Sequence, residues 1–201
     1  MRIELTAAAA ILAAAVVSAQ DSTRSGSLER PFVSDGRVTM DLVAADYKVI
    51  SSPDNRVRID WSVRDADALR NVRTTAEVHD KEVRVGTNGP KNQNLKFTIQ
   101  VPRQSDLYIR LSAGDLTIEG IRGNKDVELR AGDLTIDVGS ADDYKNVDAG
   151  LWAGDLNASA FNIVKEGLFR SFEWTGKGAY RLHAHLMAGD MRLYSKSAES
   201  R

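Results

Sequence analysis

Cysteine is absent from all 201 residues. That excludes disulfide staples, thiolate metal sites, thiol catalysis and a lipid-modified N-terminal cysteine, so stability must come from packing. Net charge is nearly absent too: 27 basic and 28 acidic residues alternate along the chain and leave −1, which gives no electrostatic footing for nucleic acid or anionic lipid. After the N-terminal region no apolar run approaches the roughly 20 residues of a membrane-spanning helix. There is no Gly-x-Ser-x-Gly elbow, and no histidine lies near a candidate nucleophile in the sequence.

What is present is a repeated phrase. It reads LSAGDLTI from Leu111, LRAGDLTI from Leu129, LWAGDLNA from Leu151 and LMAGDMRL from Leu186, with a looser copy, LVAADYKV, from Leu42. Each half of the phrase sets apolar residues two apart, as a strand with one buried face does. The halves are out of phase, since Ala113 and Leu116 are an odd number of residues apart. Gly-Asp must therefore be a corner that re-aims the chain: Gly114, Gly132, Gly154 and Gly189 supply the unusual backbone angles, and Asp115, Asp133, Asp155, Asp190 and Asp46 accept nearby N–H groups. The four full copies follow one another at 18, 22 and 35 residues. These spacings predict an all-β fold: a parallel β-solenoid-like stack of 18-22-residue coils, with a coil lacking its corner somewhere in residues 160–178. Residues 42–111, which alternate but carry no full phrase, are expected to form a broader β-meander that precedes the stack.

Residues 1–19 have the features of an export signal. Arg2 opens them, Ala7 to Val17 is apolar, and Val17-Ser18-Ala19 is a small-residue cleavage site, so no membrane span is expected in the mature chain. Residues 20–31 are polar and aperiodic and are expected to be a flexible leader. Residues 32–195 then form a single domain and residues 196–201 a polar tail. Residues 65–71 are compatible with one helical turn. Phe172 and Trp174 are candidates for capping the C-terminal end of the stack.

Several side chains invite chemistry. Stacked corner carboxylates would repel by roughly 1 kcal/mol per pair in water, and either calcium or backbone N–H groups can offset this. One Asp per corner, without a denser Gly-rich pattern, favours the N–H groups and a structural role. His183 and His185 share a strand face, but Arg181 is beside them and no third ligand is apparent, so solvent-facing histidines are expected and no metal site is assigned. His79 reads as surface. Asp142, Asp143, Asn146 and Asp148 read as a solvated acidic loop, and Trp61 as core. Trp152 fills the variable position of its phrase and should point outward, beside Arg130 and Ser112 of neighbouring coils, as a possible partner contact.

The Ala-Gly-Asp-Leu-x-Ile corners, the Val101-Pro102 step toward Leu107, the Thr175-Gly176-Lys177-Gly178 segment and the export signal together resemble the putative-adhesin, β-strand-repeat family of exported bacterial envelope proteins, a domain of unknown function. The resemblance spans residues 32–194. It implies a right-handed solenoid-like fold in the periplasm, at the cell surface or outside the cell, with no catalytic residues to carry over. Two functional classes follow. The first is a non-catalytic adhesin-like module without a cofactor, binding a surface polymer or protein. The second is an enzyme acting on polysaccharide through stacked aspartates, disfavoured because catalysis needs carboxylates in unlike environments. A calcium-stabilised carbohydrate-binding module is a variant of the first.

Overall fold

The computed structural model describes residues 25–90, 94–166 and 168–196. The export signal expected at residues 1–19 lies outside them. The chain forms seventeen strands: β1 (Ser25–Pro31), β2 (Gly36–Leu42), β3 (Asp46–Ser52), β4 (Arg56–Ser62), β5 (Arg73–His79), β6 (Glu82–Asn88), β7 (Lys96–Pro102), β8 (Ser105–Leu111), β9 (Leu116–Glu119), β10 (Lys125–Ala131), β11 (Leu134–Asp137), β12 (Tyr144–Ala153), β13 (Leu156–Ala158), β14 (Ile163–Lys165), β15 (Leu168–Thr175), β16 (Tyr180–Ala188) and β17 (Met191–Tyr194). Residues 25–31, expected to be leader, are thus strand β1, paired antiparallel with β4. No α-helix occurs among the described residues; Ala66–Asn71 is a 3₁₀ turn capped by Asp65.

The strands make two mixed sheets. One runs β1-β4-β7-β3-β9-β11-β17-β13-β14 and the other β15-β12-β16-β10-β8-β2-β6-β5. Six times the chain leaves the eight-stranded sheet and enters the nine-stranded one: β2 to β3, β6 to β7, β8 to β9, β10 to β11, β12 to β13 and β16 to β17. These passes pair in parallel and in register. Leu42, Leu111, Leu129, Leu186 and Leu151 form one buried row before the corner, and Tyr47, Leu116, Leu134, Met191 and Leu156 form another after it. Both rows belong to one continuous core between the sheets. Each buried leucine contributes about 1.5–3 kcal/mol, so the rows bind the passes into one unit.

The observed order departs from the chain order in two respects. Residues 42–111 do not precede the stack as a separate meander, because β2 and β3 lie inside it, between the β6/β7 and β8/β9 passes. The β16/β17 pass, last in sequence, is inserted between β10/β11 and β12/β13. Residues 160–178 are not a degraded parallel coil either. There the chain runs backwards, with β14 antiparallel to β13 and β15 antiparallel to β12. A reversed pass cannot repeat the corner geometry of its neighbours, which accounts for the missing phrase. The other end is closed in the same way, by β4 antiparallel to β7 and β5 antiparallel to β6. Phe172 is buried at the C-terminal end, and Phe161 packs against both its ring and that of Trp174. Trp61, expected in the core, is only partly buried and lies over Gly26 of β1.

One inward position holds a lysine. Lys125 stands in register with Leu107 and Leu182, is 1% exposed, and donates to the Tyr144 hydroxyl at 2.8 Å. Burial lowers its pKa to about 8, although Asp137, Asp143 and Asp106 pull the other way. Burial also pushes the Tyr144 phenol above its ordinary range. Between pH 8 and the ordinary lysine value near 10.5, the unfolded chain keeps a proton that the folded chain has released, so stability rises with pH across that window. Below pH 8 the folded state carries the full cost of the buried charge. Chemical denaturation from pH 7.5 to 10.5 should show wild type gaining on the order of 3 kcal/mol relative to Lys125→Met; parallel profiles would contradict the assignment.

Candidate functional site

The corner residues stand in one column, ordered Asp46, Asp115, Asp133, Asp190, Asp155. At the four glycine corners φ is positive, +113° at Gly114, +124° at Gly132, +129° at Gly189 and +132° at Gly154. A Cβ there would stand 2.0 Å from Ala45 O, 2.2 Å from Gly114 O, 2.1 Å from Gly132 O and 1.9 Å from Gly189 O respectively. Glycine is required both by its own conformation and by the carbonyl of the adjacent corner. Ala45, at the first corner, does not take a positive φ, so a side chain is tolerated there. The backbone ladder continues around the bend, for example from Gly132 N–H to Ala188 O at 3.0 Å and from Leu134 N–H to Asp190 O at 2.8 Å.

The aspartates form a second ladder. Oδ1 of Asp46 accepts the Asp115 N–H at 3.4 Å, Oδ1 of Asp115 that of Asp133 at 3.0 Å, Oδ1 of Asp133 that of Asp190 at 3.0 Å, and Oδ1 of Asp190 that of Asp155 at 3.0 Å. Every carboxylate except the last is turned to the next backbone. All five side chains are exposed, and among the described residues no three of them converge as ligands.

The outer face of the eight-stranded sheet differs from row to row. Trp152 points outward, 52% exposed, as its phase predicts. Its neighbour on β16 is Met187, not Arg130: the inserted pass separates Trp152 from Arg130, and Ser112 is further off. On the other side, on β15, Phe169 meets the Trp152 ring at 5.8 Å between centroids. Phe169 is 72% exposed and has φ of +53°, an uncommon conformation for a bulky residue. Leu168 on β15 and Val164 on β14 are exposed as well, Val164 on the nine-stranded sheet. The Trp152 and Phe169 rings line an open recess of about 480 Å³ together with Met187, Glu128, Arg130 and His185.

One row further along β16 lie the histidines. Their rings are stacked, 4.2 Å between centroids. His183 Nδ1 is 3.0 Å from Asp148 Oδ2, and His185 Nε2 is 3.5 Å from the same atom. The sequence reading placed Asp148 in a solvated loop and found no third ligand. The structure corrects this: β12 begins at Tyr144, and Asp148 sits opposite His183 on the neighbouring strand. The signal was available in Val147, Ala149 and Leu151, whose alternation sends Asp148, Gly150 and Trp152 outward. His79 is exposed, as expected, and Asp142 and Asp143 belong to the short 3₁₀ turn Ala141–Asp143.

No family model and no curated protein sequence matches the chain. Among solved structures it superposes on a protein named "putative cell adhesion protein" from Clostridium sporogenes, with TM-score 0.56 and 12% identity, over 86% of this chain and all of the other. A "putative adhesin" from Bacteroides fragilis matches at TM-score 0.28 and 11% identity, over 86% and 98% of the two chains. The first likeness shows a shared fold. Among the described residues no helix is long and apolar enough to cross a membrane.

The column makes two stability predictions, measured by denaturant unfolding. Gly132→Ala should cost at least about 3 kcal/mol, from φ strain plus the carbonyl clash. Gly139→Ala, whose φ is also positive but whose Cβ would meet nothing closer than 3.9 Å, should cost about 1 kcal/mol. Asp133→Ala removes an acceptor and should cost about 1 kcal/mol; Asp155→Ala, at the end of the ladder, should cost clearly less. Equal effects within either pair would refute the stacked-corner account.

Proposed function

We propose that this chain is a non-catalytic, exported envelope module of the adhesin type, which binds a saccharide of a surface polymer on the outer face of its eight-stranded sheet. The observation that carries the reading is the Trp152–Phe169 pair: two exposed rings, one on a strained backbone, lining a recess together with Glu128, Arg130 and His185. The rings are tilted 45° to each other; either one can stack on the apolar face of a sugar ring while neighbouring charged groups hydrogen-bond its hydroxyls. The export signal at residues 1–19 supports a location in the periplasm, at the cell surface or outside the cell. The adhesin-type name of the structural relative is consistent with this role.

The scaffold reading belongs to the same proposal. The parallel, in-register passes support a right-handed solenoid-like stack, the hand that parallel crossovers take, and a left-handed winding would overturn it. Gly114, Asp115, Gly132, Asp133, Gly154, Asp155, Gly189, Asp190 and Asp46 are then structural. Successive aspartates repeat one environment and point into backbone N–H groups, whereas glycoside hydrolysis needs an acid and a base held apart in pKa.

Cell-wall and capsular glycans incubated with the purified chain provide the test. Trp152→Ala and Phe169→Ala should each weaken binding about tenfold or more while leaving the melting temperature nearly unchanged, since both rings are exposed. Retained affinity in both variants would place the contact elsewhere. Release of shortened glycan by wild type, lost in Asp133→Asn, would replace the binding module with an enzyme.

A further inference from the structure

The eight-stranded sheet carries a second cluster that shares His185 with the edge of the aromatic recess and adds His183 and Asp148, which the saccharide reading does not use. We propose that Asp148, His183 and His185 form a binding site for a divalent late-transition-metal ion, with Zn²⁺ as the probe.

The argument begins with strand geometry. His183 and His185 are two apart on β16, so both rings leave the same face, and in-register pairing puts Asp148 of β12 opposite His183. The ligand atoms of all three side chains lie within 4.8 Å of one another. Zinc takes nitrogen and oxygen at about 2.0–2.2 Å, which places neighbouring ligand atoms of a tetrahedron about 3.3 Å apart. The observed separations from Asp148 Oδ2, 3.0 Å to His183 Nδ1 and 3.5 Å to His185 Nε2, lie on either side of that value. The rings are stacked with 22° between their planes, so binding requires the two imidazoles to splay until His183 Nδ1 and His185 Nε2 both face the ion.

Gly150 provides a second, independent observation. It lies opposite His185 on β12, and an added Cβ would come within 3.3 Å of the imidazole Cε1 and Nε2. The missing side chain is what allows the His185 ring to lean across β12 toward Asp148. Charge also favours a cation here. Asp126 and Glu128 stand opposite His183 and His185 on β10, and Glu173 stands opposite Asp148 on β15. Arg110 pairs with Asp126 at 2.9 Å and with Glu128 at 3.3 Å. Asp126 and Glu128 also come within 4.8 Å of a His183 nitrogen, but Arg110 engages both of them, whereas Asp148 meets both imidazoles. Arg181, the cation that argues against metal in the sequence, is in register with Asn146, one row beyond His183.

Two imidazoles and one carboxylate suit a borderline metal better than calcium or magnesium, which prefer all-oxygen sets. Three protein ligands also leave a fourth position open to solvent. His185 borders the aromatic recess as well, so that position is near the proposed saccharide contact.

The test is calorimetric titration of the full chain, without a histidine tag, with Zn²⁺ and separately with Ca²⁺. Wild type should bind one Zn²⁺ in the micromolar range and Ca²⁺ at least a hundredfold more weakly. His183→Ala, His185→Ala and Asp148→Asn should each weaken Zn²⁺ binding at least tenfold. Gly150→Val, which alters no ligand, should also weaken it by displacing His185. NMR of the wild type should show the signals of both imidazoles shifting with added Zn²⁺. Dissociation constants at or above about 1 mM, or affinity unchanged in the ligand variants, would overturn the proposal. Equal affinity for Ca²⁺ would overturn the assignment of metal class. Because these readouts need no glycan, they stand or fall separately from the saccharide reading.

Discussion

The close approach of one corner to the next is the constraint from which the rest of the structure follows. Hydrogen-bonded strands lie about 4.8 Å apart, and if a parallel ladder is to continue around a bend, the bends must stack at that same spacing. At such a distance the carbonyl of one corner occupies the space where the next residue would carry its Cβ, as Gly132 against Gly114 O shows. Glycine removes the collision and takes the required positive φ. The aspartate that follows then uses its carboxylate to bond the N–H of the next corner, so each bend fixes the register of its neighbour. With register fixed on one side of the molecule, the leucine rows on either side of the corner fall into line and the core fills without further specification.

A stack of this kind leaves open strand edges at both ends, and such edges invite association. The chain closes each end with a reversed pass. β4 and β5 perform it at one end and β14 and β15 at the other, running antiparallel to the strands they cover. β1 and β5 are largely exposed and polar, whereas the end formed by β14 and β15 retains Val164, Leu168 and Phe169 on the surface. The two ends are alike in topology and unlike in chemistry. That asymmetry favours an interaction surface near β15.

The two sides of the molecule divide the labour. Corner positions are nearly invariant from pass to pass and hold no residue in a unique setting, so they build a scaffold. Outward positions on the eight-stranded sheet vary freely because solvent imposes no packing requirement on them. There the chain places Trp152, Met187, His183, His185 and Asp148 on two adjacent strands, β12 and β16. The strained backbone at Phe169 and the missing side chain at Gly150 lie in the same region.

Much of this was legible in the chain itself. The period-two alternation, the Gly-Asp corners and the outward aim of Trp152 are consequences of local geometry, because a strand sends alternate side chains to opposite faces and a phase shift demands a bend. The sequence also determined that stability would rest on packing, since no cysteine was available to staple the fold. What it could not determine is which passes become neighbours. Strand pairing joins residues far apart in the chain through backbone groups that are the same at every position, so nothing local marks the β16/β17 pass for insertion between β10/β11 and β12/β13. That choice, made only by the tertiary structure, placed Met187 beside Trp152 and brought Asp148 to His183, and with them the composition of both surface sites.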